Sequence, residues 1–145
     1  MACVEVVPNL VELVRRYHIS YEVWPEYVVA SGGLQKVGFE VELSGSHSPD
    51  SSHLDPTCTT CKQVRAALLA IAVCVVPSPG NSVSYEIDAH SQSIMSSPRL
   101  GNRPFVTVTV RIFHAQRADH SIDACEADCQ KQIRAHLDEF GVCER

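Results

Sequence analysis

The chain has no excess of positive charge and no long apolar segment. Its 145 residues include 12 Lys and Arg against 17 Asp and Glu, which gives a formal net charge of −5. Because phosphate binding needs a basic surface, this balance argues against nucleic acid as a partner. The longest apolar stretch without a charged residue runs from Ala66 to Val76. That stretch is too short to cross a bilayer, so we expect no membrane partner.

The sequence also lacks the motifs that would name a reaction. It has no Gly-rich phosphate loop, no Gly-x-Ser-x-Gly elbow and no His-Glu-x-x-His, so whether the chain is an enzyme stays open. The N-terminus is neither basic nor strongly apolar, and therefore predicts no secretion signal and a cytoplasmic location. The seven cysteines are an odd number, and the cytosol keeps thiols reduced. We therefore expect no disulfide framework.

The composition is that of an ordinary folded protein. Apolar residues make up 45% of the chain and charged residues 20%, which is typical of globular domains. A length of 145 residues matches one domain, so we expect a single α+β domain over 1–145. Residues 1–33 are a candidate N-terminal arm of that domain.

Three segments alternate strictly between apolar and polar residues, and therefore predict half-buried strands. They cover residues 37–43, 83–89 and 105–113. Apolar residues at helical spacing predict helices over 10–17, over 56–76 and from Ser121 to Gly141. Asn9 and Glu12 fit a capping box, and Asp55-Pro56 fits a helix start. Together these elements predict an α+β two-layer sandwich, with a small, mainly antiparallel sheet of three to four strands and helices packed on one face.

Residues 17–29 carry more aromatic mass than a solvent loop should hold. Tyr17, Tyr21, Trp24 and Tyr27 all fall in this segment. We therefore expect it to close one sheet edge or to pack across the polar face of the sheet, as a fourth strand or an extended arm. Edge pairing is favoured, because burying the acidic residues of that face without cations would be costly. Within one chain it would complete a monomer, and exchanged between two chains it would make a homodimer. Self-association or a protein partner is the expectation for assembly.

The strongest chemical signal is Cys58-Thr-Thr-Cys61, with His53 before it. Two thiols on the first turn of a helix can hold one metal ion, and the helix dipole lowers the pKa of Cys58 in particular. The same pair could be a redox couple, with Cys58 attacking and Cys61 resolving. Alternatively, Cys61 is simply buried on the apolar stripe of its helix.

A second pair, Cys125 and Cys129, lies on the apolar stripe of the last helix, where burial explains both residues. The predicted strand directions place this pair at the opposite end of the sheet from Cys58 and Cys61. The end where strand 37–43 finishes should instead gather a mixed Cys and His site. Its candidate ligands are His47, His53, Cys58, Cys61, His90 and Cys143. Thiolates and imidazoles together favour zinc.

The polar side of the sheet is a further candidate surface. Glu40, Glu42, Glu86 and Asp88 share it with Arg111, a pattern typical of a solvated face that could also bind a cation. His114 instead continues the apolar side of its strand, which predicts a core or edge histidine. The leading hypothesis is a small zinc protein with a structural or partner-binding Cys/His site. A thiol–disulfide redox protein and a non-catalytic binding module with merely buried cysteines are the alternatives.

Overall fold

The computed structural model describes residues 9–46, 59–76, 83–88, 106–114 and 122–145. The elements follow in the order α1 (Leu10–Arg16), β1 (Ser20–Ala30), β2 (Gly33–Gly45), α2 (Thr59–Val75), β3 (Val83–Asp88), β4 (Val106–His114), α3 (Ile122–Glu139) and β5 (Cys143–Glu144). This order confirms the predicted α+β class. Within the described part of the chain, no helix is both long and apolar enough to cross a membrane.

The strands form one mixed sheet in the order β3-β4-β2-β1-β5. All neighbours are antiparallel except β1 and β5, which are parallel. Residues 20–30 form the additional strand that the aromatic content of 17–29 predicts. The expected count of three to four strands is wrong, because the C-terminal residues add a fifth.

The fifth strand exists because of the way α3 ends. Gly141 has a φ of +76°, a left-handed conformation that glycine adopts without steric cost. The amide of Val142 donates to the carbonyl of Leu137, and that of Gly141 to Asp138, at 3.0 and 2.9 Å. This Schellman ending turns the chain back, so that Cys143 lies beside Ser20. Gly141 is therefore the helix stop that the sequence predicts.

The predicted capping box at α1 does not form. Asn9 takes φ −93° and ψ 7° and makes no side-chain cap bond, because an N-cap side chain reaches the free amides from an extended backbone. Glu12 instead accepts a 2.7 Å hydrogen bond from Arg16, one helical turn on. The proposed start of α2 at Asp55-Pro56 lies outside the described residues.

One face of the sheet supplies the core. Phe39, Val41 and Leu43 of β2 and the apolar residues of β4 from Val106 to Ile112 are essentially unexposed. The apolar stripes of the three helices join the same cluster, through residues that include Leu10, Val14, Val64, Leu68, Ile71, Ile133, Leu137 and Phe140. The apolar residues that recur at helical spacing and those that alternate along the strands are therefore buried in one core.

A β-bulge interrupts the pairing of β1 with β2. Glu26 lies opposite Gly38, but Tyr27 lies opposite Lys36, so Val37 is an extra residue. The bulge shifts the alternation of β2 and turns Lys36 towards the face that holds Phe39. Pairing of β4 with β2 ends at Gly38 and Phe113. The hairpin of residues 27–35, which we call the arm, therefore projects past β4.

Candidate functional site

The side chains that point away from the core form a polar surface, the outer face. Strand register places Glu22 opposite Glu42, Trp24 opposite Glu40, and Glu40 opposite Arg111. Glu86 lies opposite Arg111 on its other side. The residues of the outer face that carry charge or an aromatic ring are Glu22, Trp24, Glu26, Glu40, Glu42, Glu86, Asp88, Arg111 and Phe113.

Two guanidinium groups contact the carboxylates of the outer face. Arg111 lies between strands, with Nε 3.9 Å from Glu40 and Nη1 3.8 Å from Glu86. Arg145 reaches over the face, and its Nη2 lies 3.2 Å from both the carboxylate and the backbone carbonyl of Glu42. Six carboxylates against two guanidinium groups leave the described part of this face acidic.

Glu40 and Glu26 form a pair of carboxyl groups on the outer face. Burial raises the pKa of Glu40, and the nearby Glu26 raises it further by repulsion and by a hydrogen bond. Arg111 opposes the shift. A hydrogen bond between two carboxyl groups requires one of them to hold a proton. A proton or an added cation would relieve the repulsion that helps to raise the pKa of Glu40.

Trp24 adds an aromatic surface next to this pair. It is the single tryptophan of the chain, it lies opposite Glu40, and 42% of its surface is exposed. An exposed indole beside carboxylates is a common arrangement for holding an organic cation, since the ring face attracts positive charge. The sequence pattern did not place Trp24 on this face, because Trp24-Pro25 breaks the alternation of its segment.

A second polar group is buried between the sheet and α3. His114 is 7% exposed, its ring stacks on Phe39 at 5.9 Å, and neither ring nitrogen has a hydrogen-bond partner among the described residues. Burial lowers its pKa, with Lys36 adding to the shift and Glu126 opposing it. The lowered pKa favours the neutral imidazole, and the burial of His114 agrees with the core position that the strand pattern predicts.

Glu126 and Lys36 form an ion pair beside His114. The Lys36 ammonium lies 2.8 Å from the Glu126 carboxylate, which also accepts a 2.9 Å hydrogen bond from Gln130. The bulge at Val37 makes this contact reachable for Lys36. Sequence reasoning missed the pair, although Glu126 falls in phase with Cys129 on the apolar stripe of α3, a position where a charge needs a partner.

Most of the predicted metal ligands lie outside the described residues, namely His47, His53, Cys58 and His90. Cys61 is partly buried against the core from α2, and Cys143 is an exposed thiol in β5. Within the described ranges, no group of three or more His, Cys, Asp or Glu side chains could hold a metal ion. The zinc site therefore stays a prediction.

Two further cysteines lie in the described helices. Cys129 is buried on α3, as its position on the apolar stripe predicts. Cys74 of α2 is part of a disulfide, a single bond that the sequence interpretation did not anticipate. The cause is that a count of cysteines carries no information about which pairs come within bonding distance. Because disulfides are typical of oxidising compartments, the cytoplasmic location stays a prediction.

Comparisons with known proteins assign no family to this chain. No protein-family model, no curated protein and no solved structure matches it. Its function therefore has to follow from its own side chains. Among the described residues, the polar and charged side chains that matter most form two groups, which are the outer face and the buried cluster around His114.

Proposed function

We propose that this chain is a non-catalytic binding module whose outer face binds a basic, extended segment of another protein. In this proposal the fold is a two-layer sandwich, with the helices on the core face and the outer face left for the partner. The observation that carries the proposal is the Glu26–Glu40 carboxyl pair beside the exposed ring of Trp24. A bound cation would offset the repulsion between these two carboxyl groups, which raises the pKa of Glu40 together with its burial.

The chemistry of the face favours arginine as the contacting residue. A guanidinium group can bind a carboxylate through two hydrogen bonds and stack on an indole ring at the same time. The chain already places guanidinium groups beside carboxylates on this face, because Arg111 and Arg145 contact Glu40 and Glu42. An arginine from a partner would add a third guanidinium at Glu26 and Trp24. An extended segment fits because neighbouring carboxylates follow the strands in rows.

The position of His114 supports binding rather than catalysis. A general acid or base has to reach the proton that it transfers. His114 is buried on the core face, and Glu126 there is 5% exposed and held by Lys36 and Gln130. These groups stabilise the packing of α3 on the sheet, and the outer carboxylates lie on the opposite side.

The proposal can be tested with the fluorescence of Trp24, which reports on this face alone because the chain has no other tryptophan. A short oligo-arginine peptide should change the emission in a saturable way. An oligo-glutamate peptide of the same length should have no effect. The affinity should fall as NaCl is added, since ~0.1 M salt screens charges over about 10 Å.

Matched variants distinguish binding at the Glu26–Glu40 pair from general attraction of a basic peptide to an acidic protein. The double variant Glu26→Gln/Glu40→Gln should weaken oligo-arginine binding about tenfold or more, the effect of losing about 1.4 kcal/mol. Glu139→Gln removes one exposed carboxylate at the end of α3 and should leave binding unchanged. An unchanged Trp24 emission, or the same loss of affinity per removed charge at both places, would rule the proposal out.

Zinc binding remains a second proposal, for the end of the sheet where β2 finishes. Its support is that Cys143 pairs with Ser20, which pairs with Ser44 at the end of β2. The first turns of α2 approach the same end, where Val64 meets Gly45. Elemental analysis of protein purified from zinc-containing medium should find about one zinc per chain. Cys58→Ser should lower that content and Cys125→Ser should not, whereas metal-free protein would refute the site.

A further inference from the structure

The arm exposes apolar side chains that the core does not use. Val29 is 87% exposed and Leu34 74%, and Tyr27 and Val28 are about half exposed. Residues 27–35 contain no charged side chain, although the whole chain has a net charge of −5. The arm is therefore an uncharged, apolar projection on an acidic protein.

The backbone of the arm has an edge that is open among the described residues. The amide of Arg145 donates to the carbonyl of Tyr21 at 2.8 Å, so the backbone of Tyr21 faces β5. Because these groups alternate along a strand, those of Tyr27 and Val29 also face away from β2. The short β5 pairs only as far as Tyr21. Polar groups of Tyr27 and Val29 are therefore free to pair with another strand.

Pro25 limits where that pairing can occur. It has the same phase as Tyr21, so its nitrogen faces the open edge and has no hydrogen to donate. A strand that adds to β1 can therefore use residues 27–30 but cannot continue towards the body of the sheet. This restriction defines one short register instead of an edge open along its whole length.

We propose that two copies of this chain pair through their arms to form a symmetric dimer. The β1 strands run antiparallel about a two-fold axis at Val28, with Tyr27 opposite Val29 of the second copy. Each of the two Tyr27–Val29 pairs exchanges two backbone hydrogen bonds, and an aromatic ring beside a β-branched side chain is a favourable cross-strand contact. A second copy fits because the arm is self-complementary and uncharged, so two acidic chains meet there without repulsion.

The small size of the arm sets the strength of the dimer. A contact made by a few residues per chain buries less than the ~1,000 Å² expected of a stable interface. The dimer should therefore dissociate on dilution. Sedimentation velocity over a concentration series from about micromolar to about submillimolar, the range of such weak contacts, should show the mean mass rising from 15.9 kDa towards twice that value.

Val29→Lys places a charge within the contact, opposite Tyr27 of the second copy, and should raise the dissociation constant at least about tenfold. Val73→Lys makes the same change at a 62% exposed valine of α2 and should sediment like the unaltered chain. Val29→Pro removes the outward amide hydrogen of this strand without adding a charge and should also prevent pairing. Circular dichroism confirms that each variant is folded. A monomer at every concentration, or equal effects of the two lysine variants, would overturn the proposal.

Discussion

Gly38 is the position where one added methyl group should do most damage to the sheet. It lies in β2 next to the bulge, opposite Phe113 of β4. A Cβ atom built there would stand 1.8 Å from the carbonyl oxygen of Ile112 and 2.9 Å from its carbonyl carbon. Both are backbone atoms of the neighbouring strand, so no side chain can rotate away. Gly38→Ala therefore forces β2 and β4 apart.

The cost can be worked from this geometry. The distance from this Cβ to the carbonyl oxygen of Ile112 is roughly 1.5 Å shorter than an ordinary contact between heavy atoms. Relieving it strains the packing by about 1–3 kcal/mol and weakens a neighbouring strand hydrogen bond worth about 1 kcal/mol. Replacing glycine by alanine also stabilises the folded state by about 0.4–1 kcal/mol, because alanine restricts the conformations of the unfolded chain. We expect a net loss of about 2–3 kcal/mol, which for a chain of this size lowers Tm by about 5–10 °C.

Thermal and urea unfolding of Gly38→Ala should be compared with Gly32→Ala. A Cβ at Gly32, in the turn of the arm, meets no atom within 4 Å. That control should keep the stability of the unaltered chain or gain a few tenths of a kcal/mol. If Gly38→Ala were as stable as Gly32→Ala, the close approach of β2 and β4 at the bulge would be refuted.

Three further predictions concern charged groups. Because the pKa of Glu40 is raised in the folded state, the free energy of unfolding should fall as pH rises through that pKa. Glu40→Gln should therefore stabilise the chain by about 0.5 kcal/mol at neutral pH and leave its stability unchanged in acid. Urea titrations at several pH values would measure both effects. Because the pKa of His114 is lowered, stability should fall as pH drops from about 6.5, and His114→Phe should remove that part of the acid loss. Lys36→Met leaves Glu126 buried without its cation, so it should cost about 1–2 kcal/mol in chemical denaturation, and Glu126→Gln in the same chain should recover most of the loss.

The helices and the three strands β2, β3 and β4 were predictable because each has a regular period. The alternation in β2, β3 and β4 and the stripes of α2 and α3 need no knowledge of distant residues. The short β5 was not predictable, since two residues have no period. The bulge at Val37 was missed as well, because the alternation of β2 simply ends there, and with it the inward turn of Lys36.

The outer face was half predictable for the same reason. Glu40 and Glu86 belong to strictly alternating strands, so their common face follows from the sequence. Trp24 and Glu26 belong to β1, where Pro25 interrupts the pattern, and only the register with β2 places them beside Glu40. The Cys and His ligands come from segments between the periodic elements, and no local pattern fixes how such segments approach one another.

The arm also determines how two outer faces would be presented to a target. Antiparallel pairing about a two-fold axis normal to the sheet leaves both acidic faces on the same side of one continuous sheet. A target with two basic segments could then occupy both faces at once, and the second contact would form at high effective concentration. Such bivalent capture would give avidity from two weak sites, and by mass action the target itself would draw the chains together.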